Sequence, residues 1–495
     1  MSVPPPAAPA DLPAISDATR WRVLAVLLAT IFMSLVGVSI VNVALPSIQA
    51  GLGASHSDLQ WVLSGYALTF GVVLVAAGRA GDIIGRGGIF IVGVLLFTAS
   101  SVAAGLALTP DALNVARFVQ GIGSGLVNPQ GVGMIQEYFR GDDRARAFGY
   151  FGSMVGVSVA IGPVLGGLLI LVGGVDVGWR LTFLVNVPIG LVVVGLALLW
   201  FPRPLFRRPA TTTGGPGRLL STLDPVGSLL LGTAVFAVLW PFMEYQAAPA
   251  TWLALPVGLA LTWAWVLWER WYARSGRSPM VDLNIFATRS FTNGALIMSL
   301  YFLGMTSIWV IVALYLQQGH GKTALQAGTV GIPSSILSAL AADWAGRKVM
   351  RYGRRVVIGG LLVGILGMIL CAAVVWMHAR GWISIWWLIL SLAFVGIAQG
   401  AVITPNQTLT LADVPLAYAG SSGAIMQTGQ RIGTSVGIAF ITSVLFAVLA
   451  LTSWSVAAMT AFLLIALVFV LALRVAFRDL RSSPGSQSLR GGSPP

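Results

Sequence analysis

Residues 78–88 read GRAGDIIGRGG, a short polar turn between two strongly apolar stretches. Gly78, Gly81 and Gly85 let backbones approach closely, and Asp82 and Arg86 can make contacts that hold one helix against another. Such a latch has a purpose only where helices separate and re-form. The apolar runs on either side predict that those helices lie in lipid.

Composition agrees. Of 495 residues, 57% are hydrophobic and only 9% are charged, with a mean hydropathy of +0.87. Soluble domains carry roughly a quarter charged residues, so the solvent here is a bilayer. The formal charge of +13 would suggest nucleic acid in a soluble protein, but its distribution decides against that. Cys371 is the one cysteine, which rules out an intramolecular disulfide or thiolate cluster. His56, His320 and His378 lie far apart in sequence without metal-ligand spacing, so neither a metal nor a cofactor is expected.

Apolar runs bounded by charged or Gly/Pro-rich breaks predict helices near 23–46, 59–77, 88–108, 112–136, 147–172 and 181–201. Two more follow the polar stretch 202–223, near 225–242 and 251–268. Six others fall near 291–316, 325–344, 356–376, 383–403, 420–447 and 454–476. The expected fold is therefore an all-α integral membrane protein with fourteen transmembrane helices. The first run is too long for a signal-peptide core and reads as an uncleaved helix.

An even count places both termini on one side. Of the 29 Lys and Arg, Arg180, Lys322 and Arg380 fall in the opposite loops and Arg117 and Arg431 inside helices, which leaves 24 on the terminus side. That asymmetry predicts cytoplasmic termini in a multi-pass inner (plasma) membrane protein. The positive charge records topology, and no nucleic-acid partner is needed to explain it.

Gly78-Arg79 followed by Gly85-Arg86 recurs as Gly346-Arg347 followed by Gly353-Arg354, with the same offset and on the same side. The first turn joins predicted helices 2 and 3, the second helices 10 and 11. A shift of eight helices equals six plus an inserted pair. Two six-helix bundles with a two-helix insertion are expected, arranged as parallel repeats with a substrate site between them. The corresponding divisions are a disordered N-tail over 1–22, bundles over 23–203 and 290–478, a linker plus inserted pair over 204–289, and a disordered C-tail over 479–495.

GRAGDIIGRGG resembles the loop signature of the major facilitator superfamily, although Ile83 and Gly87 stand where basic residues are common. LNVARFVQGIG at 113–123 resembles its helix 4 signature through Arg117, Gln120 and Gly121. IGPVLGG at 161–167 resembles its exporter helix 5 motif through Gly162, Pro163, Gly166 and Gly167, with Ser158 in place of a further glycine. IVNVALPSI at 40–48, LQWVLSGYALTF at 59–70 and WRLTFLVNVPIG at 179–190 are similar to the fourteen-span drug:proton antiporter family. That resemblance covers nearly the whole chain. It implies alternating access and proton-driven export of amphiphilic small molecules, such as drugs or secondary metabolites.

One departure matters for coupling. The family commonly has a helix 1 carboxylate five residues before the Asn of NVALP, where this chain has Gly37. A buried carboxylate with a raised pKa is the usual proton carrier. Arg117 sits inside helix 4, where a charge costs about 2.5–3.5 kcal/mol on insertion scales, and so needs a partner, a cavity or a route to the interface. It is the candidate coupling residue. Arg431 is a second intramembrane cation, and if both face inward the cavity favours anionic or zwitterionic substrates. Asn42, Gln120, Asn128, Gln399, Gln427, Gln430 and Arg431 are the candidate cavity residues, with Tyr66, Tyr301, Trp309 and Tyr315 as aromatic walls.

Gly433-Thr434-Ser435-Val436-Gly437 matches G-x-S-x-G formally, but a nucleophile elbow needs a strand-to-helix turn and a His partner. Small-residue helix packing explains it better, and no enzyme is expected. The expected partners are an amphiphilic substrate, protons and the lipid bilayer, and the expected state is a monomer. Two alternatives remain: an exporter of anionic amphiphiles or lipids with weak or no proton coupling, and a non-transporting membrane sensor with this fold.

Overall fold

The computed structural model describes residues 15–206, 224–243, 249–275, 277, 279–322, 324–415 and 418–482, and these are all-helical. Most of the expected tails, and residues 207–223 of the linker, lie outside the described residues. The long helices are α1 (Asp17–Leu52), α2 (His56–Ile84), α3 (Arg86–Gly105), α4 (Pro110–Tyr138), α5 (Gly141–Leu184), α6 (Asn186–Trp200) and α7 (Pro225–Met243). They continue as α8 (Ala254–Arg274), α9 (Arg289–Leu314), α10 (Ile332–Tyr352), α11 (Arg354–Ala379), α12 (Leu388–Thr410), α13 (Ala419–Leu449) and α14 (Trp454–Ser482).

Local chemistry sets the boundaries. Ser55 and Asp58 form a reciprocal capping box at the start of α2. Thr109 caps α4, with Pro110 in the first turn where its missing N–H costs nothing. Gly85 at φ 120° and Gly353 at φ 54° turn the chain sharply from α2 to α3 and from α10 to α11. A side chain at either would be strained, which is why the repeated turn keeps glycine there. Inside α5 the non-helical residue is Gly174 (φ 68°, ψ −169°), so the break in this long helix falls beyond Pro163, where the sequence suggested a kink.

Among the described residues, twelve helical spans are long and apolar enough to cross a membrane, including Pro225–Phe242 and Ala250–Arg274. Of the fourteen expected, α4 and α10 fall outside that set although they run 29 and 21 residues. Their polar residues explain this. Asn114, Arg117, Gln120, Ser124, Gln130 and Gln136 are buried on α4, and Ser334, Ser335 and Ser338 on α10. Such faces are tolerable only against other helices.

Apolar cores organise the two ends of the chain separately. One cluster joins α1 to α5 through Val36, Ile40, Ala44, Val62, Leu113, Trp179 and Phe183. Another joins α9 and α11–α14 through Tyr301, Ile308, Leu361, Val395, Leu445, Phe462 and Phe469. A third crosses between them at the end where α1 begins and α14 finishes, bringing Phe139 and Val132 together with Phe291, Leu411 and Met426. Helix α7 packs on both α2 and α13: Leu68, Val235 and Leu239 form a cluster joined by Val72 and Ile432. Helix α8 backs onto α7, with Gly258 close to Val238, and exposes Trp263, Leu267 and Trp271.

Candidate functional site

The GRAGDIIGRGG turn closes on a helix from the other end of the chain. Arg86 donates to Asp82 Oδ1 through Nη2 at 2.8 Å and Nε at 3.2 Å, and its Nη1 donates to Glu137 of α4. Asp82 then accepts the backbone N–H of Gly420 and of Ser421, both at 3.0 Å. These are free amides at the start of α13. A carboxylate there satisfies orphan donors and meets the positive end of the helix dipole. Gln136 Nε2 adds a bond to the Ala419 carbonyl at 3.1 Å.

Glycine makes that approach possible. A Cβ on Gly78 would stand 2.7 Å from the Gly420 carbonyl oxygen, and one on Gly420 would stand 2.6 Å from Asp82 Oδ1. The side chains of Asp82, Arg86 and Glu137 are 1%, 9% and 4% exposed. At that burial the ion pairs are fully desolvated, and removal of one member strands the others. Gly85 and Gly78 are therefore backbone devices, and Asp82 and Arg86 the chemical ones.

The repeated turn is built differently. Arg354 Nε donates to Asp479 of α14 at 2.6 Å and its Nη1 to Asn406 of α12. Asn406 bonds the Gly294 carbonyl at 2.8 Å, and Asn293 bonds Asp479 at 2.8 Å. All these residues belong to α9, α11, α12 and α14. Across the seam the backbones pack closely: a Cβ on Gly346 would meet the Ala145 carbonyl oxygen at 2.7 Å. Ser153 of α5 adds a bond to the Ala339 carbonyl at 2.7 Å.

Arg117 is 1% exposed and does not reach an interface. Its Nε donates to the Val62 carbonyl at 2.8 Å and its Nη1 to Gln120 Oε1 at 2.5 Å. The guanidinium lies 4.4 Å from the centroid of Tyr66 and 5.9 Å from that of Phe183. Gln120 continues to Ser101 at 2.7 Å. The Tyr66 hydroxyl donates to Ser124 at 2.8 Å, Ser124 meets Ser34 at 2.7 Å, and Asn128 bonds the Ser124 carbonyl at 3.1 Å. Among the described residues no carboxylate is bonded to Arg117, and amide, carbonyl and aromatic groups hold its charge. The sequence singled out Arg117, Gln120, Tyr66 and Asn128 separately, but Ser34, Ser101 and Ser124 carry no signal beyond being polar in apolar runs.

Other candidates scatter. Arg431 lies with its guanidinium 4.4 Å from the Phe70 ring centroid of α2. Gln427 is buried, whereas Gln399 and Gln430 are half-buried. The side chains of Asn42 and Pro163 lie outside the described residues. Gly162 packs on Ser39, and a Cβ on Gly166 would meet Ile40 Cγ1 at 2.8 Å, while Gly167 is exposed with open space around it. The exporter motif thus packs α5 on α1 through two of its three glycines. A Cβ at Gly37 would lie 3.5 Å from Asn186 Nδ2. Gly433 and Gly437 press onto the Ser299 and Leu303 carbonyls of α9, which accounts for their spacing.

Two histidines distant in sequence meet at the far end: the His320 and His378 rings are 5.0 Å apart. Burial, then His378 and Lys322, hold the His320 imidazole below its usual value. Among the described residues, no group of three or more His, Cys, Asp or Glu could hold a metal.

The profile of the Major Facilitator Superfamily matches residues 27–438 and again 294–494. The chain belongs to that superfamily. The probable actinorhodin transporter of Streptomyces coelicolor is 32% identical over 436 residues, 87% of this chain and 73% of that protein. The tetracenomycin C resistance and export protein of Streptomyces glaucescens is 30% identical over 433 residues, 85% of this chain and 75% of its own length. The human organic anion transporter MFSD10 superposes with a TM-score of 0.64 at 14% identity, over 92% of this chain and 99% of its own, a likeness of fold alone. As a superfamily member the chain is a transporter of small molecules and not an enzyme.

Proposed function

We propose that this protein is a secondary exporter of amphiphilic drugs or secondary metabolites, working by alternating access with proton antiport. In this reading all fourteen long helices cross the inner (plasma) membrane, both termini are cytoplasmic, and the monomer is the working unit. Bundles over 23–203 and 290–478 rock about a central site, with α7 and α8 inserted between them in sequence. The name of the Streptomyces glaucescens relative, a resistance and export protein, supports export as the direction.

The observation that carries the reading is the clasp between Asp82 and the amides of Gly420 and Ser421. It joins the two ends of the chain at one surface, and it must open before a central site can face that surface. Gln120, Asn128, Gln399, Gln427, Gln430, Asn42 and Arg431 are the proposed cavity residues, and Arg117 the residue that responds to substrate or protonation. Transport into proteoliposomes with and without an imposed pH gradient tests this, comparing wild type with Arg117→Ala and Asp82→Asn. Gradient-driven uptake that both variants lower at least tenfold supports it; gradient-independent uptake refutes antiport.

A second reading concerns the substrate. Arg117 is held without a carboxylate, and Arg431 lies over Phe70. Anionic amphiphiles, with weak proton coupling, fit two unneutralised cations better than lipophilic cations do. Competition by an amphiphilic anion but not by a lipophilic cation favours it.

A further inference from the structure

The inserted pair carries a buried acidic site that neither the clasp nor the Arg117 network uses. Asp224 stands just before α7 and Glu269 near the end of α8, and each is 1% exposed. A methyl group on Gly227 would press on Asp224 Oδ2 and stand 3.1 Å from Glu269 Oε1, so both carboxyl groups flank one point. Asp224 is satisfied: it accepts the Gly227 amide at 2.9 Å and the Trp268 indole at 3.0 Å. Glu269 is different, since neither of its oxygens makes a hydrogen bond of normal geometry. Its nearest donors are the Trp265 indole and the amides of Met280 and Val281.

An ionised carboxylate in that position would be desolvated, weakly bonded and beside a second carboxylate, and a bound proton removes that uncompensated charge. We propose that Glu269, with Asp224 as its neighbouring carboxylate, is a proton-binding site on the inserted pair, holding one proton while α7 and α8 are docked. The ligand is a proton taken from and returned to water, and only an O–H bond forms and breaks. The charged and titratable groups that face the site are Arg79 of α2, with Asp82 and Tyr418 beside it, and Tyr272 of α8, with Arg277 over its ring. Asp282 in turn faces Tyr418.

Position gives the proton a mechanical consequence. Helix α7 touches α2 and α13, one from each end of the chain, and α13 also supplies the amides of the clasp. Loss of the proton leaves two adjacent carboxylates with Arg79 as the facing cation. Arg79 is then drawn toward the pair, and the packing of α7 over the α2–α13 seam changes.

Infrared difference spectroscopy of the full-length protein in detergent, titrated with acid and base, tests the site. A protonated-carboxyl band at neutral pH is expected, absent in Glu269→Gln and with its midpoint moved by at least one pH unit in Asp224→Asn. No such band in wild type, or a band unchanged in both variants, overturns the proposal. If Glu269→Gln fails to give a monodisperse protein, the Asp224→Asn midpoint carries the test. The transport consequence rests on the antiport reading: Glu269→Gln should cut the response of uptake to a pH gradient at least tenfold. Loss of the band with an intact gradient response supports the proton site and counts against that reading.

Discussion

The two glycine-arginine turns share a sequence pattern and differ in what they grip. At residues 78–86 the arginine hands its carboxylate to a helix at the other end of the chain, through Asp82 to Gly420 and Ser421. At residues 346–354 the arginine is tied off within its own neighbourhood by Asp479 and Asn406. The residue that corresponds to Asp82 in the repeat is Met350, which is 46% exposed and offers no acceptor. One pattern thus serves as a cross-seam clasp at the first turn and as a local brace at the second. In a rocking transporter this asymmetry lets one seam sense state while the other slides.

The largest expected effect is at the clasp. Asp82→Ala leaves Arg86 with Glu137 alone and two helix-terminal amides without their acceptor, a loss of about 3–5 kcal/mol by analogy with broken buried pairs. Labelling of a cysteine at Ser421, in a Cys371→Ala background, should accelerate at least tenfold. Asp479→Ala breaks the brace at similar energetic cost, but its effect should appear as a lower melting temperature with labelling at Ser421 unchanged. If both substitutions open the seam equally, the contrast between the turns fails.

Next in size is crowding. Gly78→Ala forces a methyl to 2.7 Å from the Gly420 carbonyl oxygen, and Gly346→Ala does the same against Ala145. Each should cost about 1–3 kcal/mol as overpacking, read as a shift toward the state with the terminus-side seam open. Equal shifts would mean that backbone packing is symmetric even though the ion chemistry is not. Met350→Asp should change stability by less than about 0.5 kcal/mol, as expected of an exposed surface substitution; a larger gain would mean that the second turn can be converted into a clasp.

The smallest effect is at the far end. His320 titrates below its ordinary value, so its neutral form is the one the fold favours. That contribution is present above the usual imidazole range, near 6.5, and is lost as pH falls through the lowered folded value. Melting curves across this acidic range should show a small drop that His320→Gln removes.

The sequence made the turn, its repeat, the buried arginine and the helix-packing glycines legible, because each is a local departure from a uniformly apolar background. Asp82, Arg86, Arg117, Gly162 and Gly166 were all visible for that reason. What Asp82 grips was not, since backbone amides at 420 and 421 have no side-chain signature. Asn406 was nearly visible, one position beyond the repeat image of Glu137, but an amide in place of an acid hides the relation. Glu269 escaped because it follows the last apolar residue of its run and reads as an ordinary helix end. Its burial comes from Met280, Val281 and the α7 helix, which no local pattern reports. The convergence of His320 and His378 likewise depends on where α9 and α11 end in space.

The central claim is that Asp82 holds the two ends of the molecule together at the terminus-side surface. Spin labels at Arg146→Cys on α5 and Arg347→Cys on α10, both exposed and in the Cys371→Ala background, report the width of that surface by electron–electron distance measurement. The account predicts a single short distance in the parent protein, a longer and broader distribution with Asp82→Asn, and an unchanged one with Asp479→Asn. A distribution that Asp82→Asn leaves unchanged would contradict it.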